Sequence, residues 1–217
     1  MTDQSSRRTT MVDTQVRPSD VTKFPIIEAL LAVRKETYVP AAFQDAAYAE
    51  TAVSLGDNRS ILEPRAFAKL LDAVNVQPDE LVLDIGSGLG YSSAVLGQLA
   101  QTVCAVEVDE AMAQEAETNL AQEGVVNVFV SQGDLSEGAK QHAPYDVIII
   151  EGGVDNLPVA LTEQLAEGGR IAGIFSEAGV GRVKVGTKVD DHVTWRNAFE
   201  AEASILPGFE TVDTFTF

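Results

Sequence analysis

The chain has little sulfur, little histidine and little positive charge. Its 217 residues include one cysteine and two histidines. A single cysteine excludes an intrachain disulfide. Cys104 lies in the apolar run Thr102–Val108, where a buried, inert thiol is expected. His142 and His192 have no partners at ligand spacing, so no metal site is expected. Lys and Arg number 15 against 33 Asp and Glu, a formal net charge of −18. Such a field repels phosphate backbones and anionic lipid, which argues against nucleic acid and membrane surfaces as partners. No stretch approaches the ~18 apolar residues of a membrane span, and the opening MTDQSSRRTTMVD has no apolar core of signal-peptide length. The expectation is a cytoplasmic chain, monomeric because no long exposed apolar stripe stands out.

What is present is an apolar fraction of 45%, enough for one full core. Residues 1–18 read as a mobile arm. Residues 19–78 read as a helical cap with a loop: a helix from Ser19 carries Ile26, Ile27, Leu30, Leu31 and Val33, residues 34–64 form loop with a short helix, and Pro64–Val74 is a second helix. From residue 79 the rhythm is regular. Strands are expected at Leu81–Ile85, Val103–Val108, Val125–Val130, Tyr145–Ile150 and Arg170–Phe175. Helices at Tyr91–Ala100, Glu110–Glu123 and Pro158–Glu167 separate them. Short apolar strands alternating with helices predict an α/β fold, doubly wound around a mostly parallel sheet. Val180–Val189 and Phe209–Phe217 alternate as added or edge strands would. Residues 79–217 thus form a Rossmann-like domain, one globular unit with the cap.

The stretch LVLDIGSGLGYSS carries the chemistry. In such a sheet the ligand lies beyond the carboxyl end of the first strand, where Gly86, Ser87, Gly88 and Gly90 fall. The dinucleotide pattern G-x-G-x-x-G counted from Gly86 puts Tyr91 where the third glycine belongs, and no Lys follows as a phosphate loop requires. Asp84 precedes the glycines, a poor neighbour for pyrophosphate and a good one for a cation. Glu107, followed by Val108, ends the second strand, where a carboxylate can accept both hydroxyls of a ribose. Asp134 and Leu135 follow the third strand, placed to hold an adenine amino group and cover its ring. An adenosine with a cationic tail and no phosphate describes S-adenosylmethionine, with S-adenosylhomocysteine as its product. Glu151 follows the fourth strand and completes the candidate set.

The segments LVLDIGSGLGYSSAVLGQLA, VCAVEVD, NVFVSQGDLSEG, APYDVIIIEGG and QLAEGGRI together resemble the protein-L-isoaspartate O-methyltransferases. So do MVDTQVRPSDV, VRKETYVP and AYAETAVSLGDNRSILEP upstream. The likeness runs from about Met11 to Phe175. It implies the seven-stranded methyltransferase sheet and transfer of a methyl group from S-adenosylmethionine to the carboxylate of an isoaspartyl residue, the first step in repair of damaged protein. The substrate implied is a protein or peptide carrying isoaspartate.

The family's segment G-x-G-Q-T-I-S-x-P falls on Gly56–Pro64. Gly56, Ile61 and Pro64 keep the pattern and Ser60 stands in for Thr. Asn58 replaces the second Gly, Arg59 replaces Gln, and Leu62 replaces the Ser that the family places near methyl transfer. Arg59, Ser60 and Leu62 are therefore expected on the acceptor side, with Glu151 beside them. Leu62 cannot donate a hydrogen bond. Arg59 can grip an acceptor carboxylate as a fork or be a solvated loop residue, and Glu151 can act as a base or face solvent. Three readings stay open: an isoaspartyl methyltransferase with an altered acceptor loop, a relative that methylates another acceptor such as a small molecule, and a non-catalytic binder of S-adenosylmethionine.

Overall fold

A computed structural model describes residues 3–177 and 179–211. Its centre is a seven-stranded sheet. In chain order, β3 (Leu81–Ile85), β4 (Thr102–Glu107), β5 (Val128–Gln132), β6 (Tyr145–Val154), β7 (Leu165–Glu177), β8 (Val180–Val189) and β9 (His192–Glu200) lie in the order β5-β4-β3-β6-β7-β8-β9. The first five strands pair in parallel, and β8 and β9 add an antiparallel end. Helices α4 (Tyr91–Leu99) and α5 (Glu110–Gln122) make the crossovers beside β4, and the short α6 (Val159–Glu163) precedes β7. The chain reverses direction across the sheet between β3 and β6, so the switch point lies at their carboxyl ends.

The central strands are apolar on both faces because both are covered. Val82, Val103, Val147, Ile149 and Ala172 face one core, and Leu83, Ile85, Val106, Ile148 and Ile150 face the other. Each of these Val, Leu and Ile side chains contributes about 1.5–3 kcal/mol when fully buried. The first core also takes in α2 (Phe24–Ala32) and α3 (Pro64–Val74), so the cap and the sheet share it. Tyr91 explains why the third glycine of a dinucleotide turn is missing. Its ring is buried against Phe67 at 5.6 Å and Tyr38 at 6.2 Å between centroids, and it ties the cap to the sheet.

Several expectations need correction. The expected arm is helical from Gln4 to Ser19: α1 spans Gln4–Met11, a wider π-helical turn follows over Val12–Val16, and a tight 3-10 turn over Arg17–Ser19. Met11, Val12 and Val16 are buried and anchor it in the first core. The cap helix starts at Phe24 rather than Ser19, with Pro25 in its first turn. The helix expected over Pro158–Glu167 stops at Glu163, and β7 begins at Leu165. A two-stranded hairpin, β1 (Val53–Gly56) and β2 (Arg59–Ile61), stands where loop was expected. Among the described residues the last sheet strand is His192–Glu200. Of the strand expected over Phe209–Phe217, residues 209–211 are not strand, and the rest lies outside the described residues. Among the described residues no helix is long and apolar enough to cross a membrane.

Candidate functional site

Asp84 is the last polar side chain of β3 and is fully buried. Its Oδ2 accepts hydrogen bonds from Ser92 Oγ at 2.7 Å and Ser93 Oγ at 2.5 Å, both from the first turn of α4. Among the described residues its Oδ1 has no partner. Burial pushes the Asp84 carboxyl up to about 6; the two serines and Arg59 oppose this, and Glu107 adds to it. Register pairs Ile85 with Ile150, so Glu151 emerges beside Gly86. Glu151 is also buried, its Oε1 is without a partner, and burial followed by the Asp84 charge raises it well above the usual carboxylate range. Ser87 Oγ is a third unpartnered oxygen at the same turn. Buried oxygens left without donors suit a cationic, hydrogen-bonding group.

The other end of the site is already filled. Glu107 is fully buried at the end of β4, and Arg59 meets it as a fork: Nη1 donates to Oε1 and Nη2 to Oε2, each at 2.7 Å. Gly88 N donates to Oε2 at 2.7 Å and Asp109 N to Oε1 at 3.1 Å. The carboxylate's four acceptor positions are taken. Arg59, expected to face an acceptor carboxylate or solvent, is 5% exposed and clasps the residue expected to hold a ribose. The hairpin delivers it there. Asp57 and Asn58 both have positive φ, 45° and 59°, the signature of a tight two-residue hairpin turn. A GDN turn between VSL and RSI was the sequence signal for this element.

Leu206 was not foreseen. The segment after β9 returns to β6: Gly153 N donates to Ser204 O at 2.8 Å and Leu206 N to Gly153 O at 3.0 Å. This lays the Leu206 side chain over Gly86 and Gly152. A Cβ added at Gly86 would lie 3.1 Å from Leu206 Cδ1 and 3.3 Å from Arg59 Nη2, and one at Gly152 would lie 2.6 Å from Leu206. Gly86, Gly88 and Gly90 all hold positive φ, as a strand-to-helix turn of this kind needs. The cavity left at the turn is about 10 Å³, lined by Leu55, Ser60, Gly86, Ser87 and Glu151 among others. One water needs about 10–15 Å³, and small-molecule sites run to about 300–1,000 Å³.

The remaining candidates divide. Ser60 is half-buried and lines that cavity, whereas Leu62 is buried in the first core and cannot line an acceptor site. Val108 is half-buried against the second core. Leu135 is wholly inside that core, so it has no free face for an adenine. Asp134 is exposed, and its Oδ1 accepts from Ser136 N at 2.9 Å and Ser136 Oγ at 2.7 Å. Gly208 stands beside it, so the same C-terminal segment reaches both the glycine turn and Asp134. S-adenosylmethionine therefore meets a split site. Asp84, Ser87 and Glu151 fit its cationic end, but Arg59 already fills the acceptor positions of Glu107 and Leu206 lies over Gly86 in this arrangement.

The sequence matches the protein-L-isoaspartate(D-aspartate) O-methyltransferase family over residues 6–198. A protein-L-isoaspartate O-methyltransferase of Koribacter versatilis is 36% identical over 164 residues, 76% of this chain and 74% of that one. One from Gloeobacter violaceus is 33% identical over 181 residues, 83% of each. Among solved structures, a protein-L-isoaspartate O-methyltransferase superposes with a TM-score of 0.81 at 22% identity, over 95% of this chain and 66% of that one. A Plasmodium falciparum protein described as a putative member, in complex with S-adenosyl-L-homocysteine, gives 0.79 at 17% identity, over 95% and 99%. The structural likeness establishes the fold, with cap, hairpin and seven-stranded sheet in one chain. The sequence match spans the same elements, and on it this chain belongs to the protein-L-isoaspartate(D-aspartate) O-methyltransferase family.

Proposed function

We propose that this chain transfers the methyl group of S-adenosylmethionine to the carboxylate of an isoaspartyl residue in a protein or peptide, and that it does so in the cytoplasm. Its family is one of methyltransferases that use this cofactor. The observation that carries the reading to this chain is the trio of unpartnered oxygens on Asp84, Ser87 and Glu151 at the switch point. They give a cationic group a place beyond β3, where a doubly wound sheet binds its ligand.

Glu151 does not count against a carboxylate acceptor. Its burial beside Asp84 favours the protonated form, and a neutral carboxyl donates a hydrogen bond to an anion instead of repelling it. Ser60 lines the same cavity and offers the hydroxyl that Leu62 lacks. The two side chains orient the acceptor. Methyl transfer from labelled S-adenosylmethionine to an isoaspartyl peptide, with its aspartyl twin as control, tests the function in the wild type and in Arg59→Gln. Selective labelling of the isoaspartyl peptide is expected. Equal labelling of both peptides, or none by either protein, would overturn the proposal.

A further inference from the structure

Three buried carboxylates converge at the switch point: Asp84, Glu107 and Glu151. Arg59 is the cation paired with one of them, Glu107. We propose that Arg59 is an internal ligand of the cofactor site, so that its seat on Glu107 and bound S-adenosylmethionine exclude each other. The inference rests on the reading above that this site takes that cofactor.

The hydrogen bonds on Glu107 leave no choice between the two ligands. A ribose held by Glu107 must donate its hydroxyls to the carboxylate oxygens, and both oxygens already accept one guanidinium nitrogen at 2.7 Å and one backbone amide. The ion pair is shut away from water, with 5% and 0% of the two side chains exposed. Removing one member of such a pair without replacement leaves a buried charge unpaired, a large penalty. The ribose would therefore have to take over Glu107 at the moment Arg59 leaves.

The same hairpin that holds Arg59 can carry it away. Its strands are only four and three residues long and pair with each other in a separate two-stranded sheet. An isolated hairpin of that size has little stability of its own. Its seat is set by Arg59 at Glu107, by Leu55, whose Cδ1 lies 2.6 Å from where a Cβ on Gly88 would stand, and by Val53, buried in the first core with Ile61 packed against it. Displacing the hairpin would remove Arg59 and Leu55 from the glycine turn together. The family pattern places Gln at this position, and Gln has neither the charge nor the fork.

Calorimetry with S-adenosylhomocysteine on the full chain tests this without any turnover. Arg59→Gln is expected to bind it about 100-fold more tightly than the wild type, the scale of one buried ion pair. Equal affinity in the two proteins would overturn the internal-ligand role and leave the cofactor reading standing. No binding by any folded variant would overturn both. Circular dichroism checks folding. If Arg59→Gln does not fold, Arg59→Lys keeps the charge, loses the fork, and should bind about tenfold more tightly than the wild type. Equality of Arg59→Lys with the wild type would then overturn the proposal.

Discussion

Asp84, next to the last residue of β3, and Glu151, one residue past the last β3–β6 pair, are both buried, each with a carboxylate oxygen that has no hydrogen-bond partner among the described residues. Both are raised above their ordinary values, Asp84 to about 6, with burial the largest cause in each. The folded state therefore holds protons that the unfolded chain gives up. Stability from this pair is fully present below the unfolded carboxylate range, near pH 4, and is lost as pH rises through about 6 and beyond. Glu151→Gln removes one titrating member and its repulsion of Asp84. Urea unfolding should find the variant more stable than the wild type at pH 8 and nearly equal to it at pH 5. Parallel stability curves from pH 5 to 8 would show that the two carboxylates are not held as described.

Lys35 raises the same question with the opposite sign. It is buried at 1% exposure, its Nζ has no hydrogen-bond partner among the described residues, and it sits 5.4 Å from the centre of the Tyr91 ring. Burial lowers it to about 8. The unfolded chain binds the extra proton, so stability rises with pH between about 8 and the ordinary lysine value. The flexible, apolar Met fills the same volume without the charge. Lys35→Met should gain roughly 1–3 kcal/mol at pH 7, a range set by the lowered pKa less the attraction to Tyr91. The gain should shrink toward pH 10. A loss at pH 7 would mean that the ammonium is stabilised where it lies.

These buried charges mark where the sequence is readable and where it is not. Strands β3, β4, β6 and β7 are visible because a parallel strand covered on both faces is an unbroken apolar run. HVTWRNAFE is not such a run. It forms the antiparallel edge, with mixed polar and apolar residues and Trp195 40% exposed. FETVDTFTF alternates better, yet residues 209–211 are not strand and the others lie outside the described residues. QSSRRTTM looks like an arm because only its end, at Met11, is apolar, and that end is what docks. The positions of Asp84 and Glu107 at strand ends, and of the glycines in the turn beyond β3, could be read from the sequence. That Arg59 would reach Glu107 could not, because no local pattern links a hairpin tip to a strand end 48 residues away. Leu206 was hidden for the same reason.

The turn that aims Arg59 has its own consequence. Asp57 and Asn58 occupy the left-handed region, which Asn and Gly tolerate and β-branched residues do not. Asn58→Gly should leave stability within about 0.5 kcal/mol of the wild type, whereas Asn58→Val should lose about 1–3 kcal/mol from backbone strain. The strained variant should also hold Arg59 less firmly, and amides of residues 53–61 should exchange faster with solvent. Unchanged exchange in Asn58→Val would mean that the turn does not set the hairpin's geometry.

Leu206 and Gly152 permit a more exacting test of the C-terminal segment. The Leu206 side chain lies so close to Gly152 that a methyl group there would stand 2.6 Å from Leu206 Cγ. Gly152 is not in the left-handed region, so Gly152→Ala introduces crowding without backbone strain. Overpacking of this kind should lose about 1–3 kcal/mol. Leu206→Ala, at a side chain only 1% exposed, should lose about 2–5 kcal/mol by leaving a cavity. The methyl group that Gly152→Ala adds would enter the space that Leu206→Ala vacates, so the double variant should lose clearly less than the sum of the two. A shortfall from additivity of ~1 kcal/mol or more is the expected reading, since residues in direct contact couple on that scale. Strict additivity would mean that Leu206 does not lie over Gly152 in solution, and that the C-terminal segment does not help to close the site.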